Sequence, residues 1–103
     1  MAKRTIKKDQ LFEKLGTFIS VCNTEDRSGG YNAPNQFELK FKNGRVFQSY
    51  DSFIAARLNG ELYLSEDHDY SNTTSAHTTR WTGYDTKERR EGLDNGKFIL
   101  VKD

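Results

Sequence analysis

The chain has 103 residues, with 16 Lys and Arg against 15 Asp and Glu, a net charge of +1 and a mean hydropathy of −0.88. That length holds a single domain over 1–103 with one core, and a balance so near zero excludes both a global basic field for nucleic acid or anionic membranes and an acidic mimic of DNA. Leu, Ile, Val and Phe make up about a fifth of the chain, just above the range of disorder, and no stretch resembles a membrane span or signal peptide, so a cytoplasmic protein is expected.

Residues 1–5 read as a basic, flexible N-terminus, and Lys3, Arg4, Lys7 and Lys8 form a basic arm. Ile6, Leu11, Phe12 and Leu15 fall near a helical stripe with Gly16 in the place of a C-terminal cap, which predicts a helix over 6–15. Residues 17–23 are rich in β-branched and aromatic types and predict a strand, with Phe18, Ser20 and Cys22 on one face and Ile19 and Val21 on the other. Cys22 has no cysteine to pair with, and its apolar neighbours predict a small buried hydrophobe. The polar stretch 24–35, with Gly29-Gly30 and Pro34, predicts a mobile loop.

In 36–50, Phe37, Leu39 and Phe41 alternate with polar residues and run into Asn43-Gly44, the preferred pair for a two-residue type I′ turn. That turn sets Phe37 opposite Tyr50, Leu39 opposite Gln48 and Phe41 opposite Val46, leaving Glu38, Lys40, Lys42, Arg45, Phe47 and Ser49 on a solvated face. A second hairpin, 52–65, turns at Asn59-Gly60. It places Phe53, Ala55, Leu62 and Leu64 on one face and Ile54, Ala56, Leu58 and Tyr63 on the other, and two apolar faces mark a strand pair in the middle of a sheet. Arg57 shares the Ala55 and Leu62 side as a snorkelling cation.

Residues 66–70 read as a solvated acidic turn. A helix capped by Ser71 or Asn72 follows to Trp81, a second runs from an Asp85 cap to about Leu93, and 97–101 form a last strand. The sum is an α+β fold: a small, mostly antiparallel sheet of about five to six strands built on two Asn-Gly hairpins, with two to three short helices.

The chemistry of the chain points to binding. His68 and His77 fit no metal-ligand spacing and there is no second cysteine, so neither a metal nor another cofactor is expected. Thr73 and Ser75 lie near His77, but helical neighbours present side chains side by side rather than converging in a pocket, and no Gly-x-Ser-x-Gly elbow is present; no enzyme is expected. Tyr31, Tyr50, Tyr63, Tyr70, Trp81 and Tyr84 are more aromatic anchors than so small a core absorbs. Tyr70, Thr73, Thr74, His77, Arg80, Trp81 and Tyr84 are therefore the candidate partner-contacting residues, and a sheet edge offers a second route by strand addition. The alternative is nucleic acid held by Lys40, Lys42, Arg45 and Phe47 of the hairpin face with Arg89 and Arg90.

The block Val46-Phe47-Gln48-Ser49-Tyr50-Asp51-Ser52-Phe53-Ile54-Ala55, then Leu62-Tyr63-Leu64, then Tyr70-Ser71-Asn72-Thr73-Thr74-Ser75-Ala76-His77, resembles a family of short uncharacterised proteins of bacteriophages and mobile elements, over about residues 43–101. The resemblance implies a phage-type accessory protein in a bacterial cytoplasm, one that binds and disables a host factor such as a CRISPR effector or acts on nucleic acid. The expected function is that of a non-enzymatic protein binding a host protein, with nucleic-acid binding as the alternative.

Overall fold

A computed structural model describes residues 3–25 and 32–103. Its elements run β1 (Arg4–Lys7), α1 (Lys8–Leu15), β2 (Phe18–Glu25), β3 (Asn32–Phe41), β4 (Gly44–Ser49), β5 (Ser52–Leu58), β6 (Glu61–Ser65), α2 (Asn72–Thr82), α3 (Thr86–Asn95) and β7 (Ile99–Lys102). Among the described residues the strands form one seven-stranded sheet in the order β1-β7-β6-β5-β4-β3-β2. The α+β class is as expected, but the sheet is larger than five to six strands and is mixed, because β7 lies parallel to both β1 and β6.

The added strand is β1. Rather than starting a helix at Ile6 or trailing as a basic arm, Arg4–Lys7 pairs with Ile99–Lys102. Arg4 fastens it further, donating to the Gly96 carbonyl at 2.7 Å and to Glu61 Oε1 at 2.8 Å. Of the predicted loop at 24–35, residues 24–25 belong to β2 and residues 32–35 to β3; residues 1–2 and 26–31, with Gly29-Gly30 and Tyr31, lie outside the described residues.

The two Asn-Gly pairs behave differently. Asn59 and Gly60 have φ of 53° and 77°, and Leu58 pairs with Glu61 across them, as a two-residue turn of primed type requires. The first hairpin is instead shifted by two residues from the expected pairing: Leu39 faces Val46, Phe37 faces Gln48 and Lys40 faces Arg45. The reason is tertiary. Lys42 and Asn43 donate their backbone N–H groups to the Thr17 and Leu15 carbonyls, and the Asn43 amide reaches the Lys14 carbonyl, so Asn43 satisfies the end of α1 instead of forming a two-residue turn with Gly44. Gly44 is required for space: a Cβ there would strike the Arg57 carbonyl.

A shift of two preserves the faces, and the sheet buries both. On one, Leu11 and Leu15 of α1 pack on Phe41, Val46, Phe53, Ala56, Leu58, Tyr63, Ile99 and Val101. On the other, Phe47, Ile54, Ala55, Leu62, Leu64 and Phe98 lie beneath α2 and α3, flanked by Trp81, Tyr84 and Leu93. β5 is the middle strand, as its two apolar faces predict. A bulge refines its pattern: Phe47 pairs with Ala55 and Gln48 with Phe53, so Ile54 and Ala55 both face α2 and Phe53 turns to α1.

Candidate functional site

The hydroxyl-rich segment is largely scaffold. Ser71 caps α2 by accepting from the Thr74 N–H at 3.1 Å, and the Thr78 and Thr82 hydroxyls donate back to the carbonyls four residues earlier. Asp85 caps α3, with a reciprocal bond from its own N–H to Glu88 Oε1. This fixes Arg89 between the helices, where it is fully buried. Its guanidinium donates to Thr79 Oγ1, Ser75 Oγ, Thr86 Oγ1, the Tyr84 and His68 carbonyls and His68 Nδ1, at 2.6–3.3 Å. A buried cation is thus held wholly by neutral acceptors.

His68, expected in a solvated turn, is buried as part of this cradle. Its Nδ1 accepts from Arg89 and so carries no proton there. Burial, with the charges of Arg89 and Arg90, holds its pKa below the ordinary 6.5 despite nearby Asp69. Burial would raise the Asp69 carboxyl, but the Arg90 hydrogen bond at 2.6 Å, with the neighbouring cations, brings it below its usual value.

The open ground lies at the β2 end of the α2 face. There a groove of about 370 Å³ is lined by Cys22, Asn23 and Thr24 of β2, Glu38 of β3, Arg45 of β4, Arg57 of β5, and His77, Arg80 and Trp81 of α2. Trp81 stacks on buried Phe47 with centroids 5.8 Å apart, and its indole N–H donates to Glu38 Oε1 at 2.9 Å. Arg45 lies 3.8 Å from the other Glu38 oxygen, while Arg57 donates to the Thr82 carbonyl with its guanidinium 5.9 Å from the Trp81 centroid. Among the described residues, the lining thus holds three guanidiniums and one carboxylate, in a chain with almost no net charge.

Of the partner-contacting candidates, the fold brings His77, Arg80 and Trp81 together in this groove. Tyr70 is exposed, 80%, near the other end of α2, beside exposed Tyr50 and Ser71, and Thr73 is also exposed. Thr74 is buried against Ser49, and Tyr84 packs on Phe98 at 4.8 Å beneath Lys97, so neither adds to that surface. For the nucleic-acid set the correction is sharper. Phe47 and Arg89 are fully buried and present nothing to a ligand, and Arg90 is tied to Asp69. Arg45 lines the groove, and Lys40 and Lys42 are exposed outside it.

Sequence reasoning missed the β2 contribution. Cys22 is exposed, not buried, because β2 is the edge strand and neither helical layer extends over it. Phe18 contacts Phe41 edge-on at 5.6 Å, and a register irregularity before Ser20 puts it on the α1 face with Val21 rather than beside Cys22. The available signal was the position of Arg57 on the Leu62 side of β5, the side that α2 covers.

The model of a family of unknown function, DUF8033, matches residues 16–97. The chain belongs to this family. The match contains every residue lining the groove and leaves β1, α1 and β7 outside. No curated protein and no solved structure matches the chain. Among the described residues no helix is long and apolar enough to cross a membrane, and none of their His, Cys, Asp and Glu side chains cluster as a metal site.

Proposed function

We propose that this family member is a non-enzymatic binding module that engages a protein partner by strand addition at the outer edge of β2. The carrying observation is that edge itself. β2 is eight residues long, pairs on one side only among the described residues, and leaves Phe18, Ile19 and Val21 at 49%, 56% and 55% exposure. Solvated edge strands are ordinarily blunted by lysine, proline, brevity or bulges; this one has no lysine or proline, and its stretch from Ser20 to Asn23 pairs with β3 without irregularity. A second chain laid along it gains backbone hydrogen bonds and an apolar contact together.

The burial of Phe47 and Arg89 removes two of the six residues offered for nucleic acid, which favours the protein reading. In the phage-type setting that the resemblance implies, the partner is a host protein, a defence factor among the possibilities.

Affinity capture from a bacterial lysate, with and without nuclease, tests this when run in parallel on an Ile19→Lys/Val21→Lys variant. The expected partner survives nuclease and is lost from the variant. A partner that disappears with nuclease, or that the variant retains equally, overturns the reading.

A further inference from the structure

The two faces of β2 ask for different side chains from whatever pairs with it. On the α1 side, Val21 lies opposite Leu39 and Phe18 rests against Phe41, so that face continues the first hydrophobic core out to the edge. On the α2 side, Ser20 and Cys22 lie opposite Lys40 and Glu38. These side chains are small, and behind Cys22 the groove opens onto Arg45, Arg57 and Arg80. An added strand sits about 4.8 Å from β2, and the small Cys22 side chain leaves only a low wall between it and the mouth of the groove. Thr24 strengthens the point: it lines the groove, and its hydroxyl is buried with no hydrogen-bond partner among the described residues.

Resting on the proposed strand addition, we infer that the partner strand alternates apolar and acidic residues, with its apolar side chains on Phe18 and Val21 and its carboxylates in the arginine-lined groove. The period of two that β structure imposes makes this one requirement rather than two, because successive side chains must fall on opposite faces. Guanidinium groups pair with carboxylates through charge-assisted hydrogen bonds, and the Thr24 hydroxyl has its donor to give. A nucleic-acid strand suits the place less well. It carries no peptide groups to complete the β2 edge, and the Trp81 ring is already engaged by Phe47.

The test is fluorescence anisotropy with a labelled peptide of alternating Val and Glu, a Val and Gln counterpart, a Val and Glu peptide N-methylated at every residue, and a single-stranded oligonucleotide. The Val and Glu peptide is expected to bind, the Val and Gln peptide about tenfold more weakly, and the N-methylated peptide not at all. The Arg45→Ala/Arg80→Ala protein should lose the preference for Glu, and Arg45→Glu/Arg80→Glu should prefer a Val and Lys peptide. Equal binding of the Glu and Gln peptides overturns the acidic alternation and leaves strand addition standing. Undiminished binding of the N-methylated peptide overturns strand addition itself. Failure of every peptide, with or without oligonucleotide binding that depends on Arg45 and Arg80, overturns both.

Discussion

Arg89 and the arginines of the groove show how differently one residue type is used within a few ångströms of the same helix. Arg89 has every nitrogen occupied by hydroxyls, carbonyls and an imidazole of its own chain, with no water contact. Arg45, at the other end of the contrast, is exposed and among the described residues meets only the far oxygen of Glu38, at 3.8 Å. A guanidinium saturated from within fixes helices and has nothing left for a ligand; one loosely met at the surface contributes little to folding and keeps its fork for a partner.

The contrast breaks most readily at Arg89. Arg89→Ala leaves a cavity and removes the donor held by Thr79, His68 and the Tyr84 carbonyl, so it should lower stability by at least about 3 kcal/mol, measured by chemical denaturation. Acid should act on the same cradle. The His68 pKa is depressed on folding, so the unfolded chain binds the proton more readily. Stability from this group is complete above the ordinary 6.5 and is lost as pH falls towards the folded value, with a slope of about 1.4 kcal/mol per pH unit in denaturation midpoints; in His68→Gln that slope should vanish. The smallest effect belongs to the groove. Arg45→Ala should change stability by no more than about 0.5 kcal/mol while the preference for acidic peptide weakens. A larger loss of stability there would merge the two classes of arginine into one.

What the sequence disclosed follows the range over which each interaction acts. The caps at Ser71 and Asp85 and the turn at Asn59-Gly60 are completed by residues within a few positions, and all were legible. Asn43-Gly44 has the same two residues as the good turn, yet its role is set by α1 and by the Arg57 carbonyl, which no local window contains. β1 escaped notice because its only partner strand among the described residues, β7, lies at the far end of the chain, and the bulge at Ile54-Ala55 because both registers look equally apolar. For the site, His77, Arg80 and Trp81 share a helix and could be grouped in advance. Cys22, Glu38, Arg45 and Arg57 come from four strands, and only the completed sheet brings them together. Arg89 was misread for a simple reason: a charged side chain in a polar helix looks solvated until its neutral acceptors are folded around it.

The parallel pairing of β1 with β7 has a kinetic consequence. Strands β2 to β6 join in chain order through neighbouring contacts, so most of the sheet assembles by closing short loops. The β1 to β7 ladder joins Arg4 to Ile99 and must await both ends of the chain. The edge of β2 proposed for binding is therefore laid down early, and the opposite margin of the sheet is sealed last.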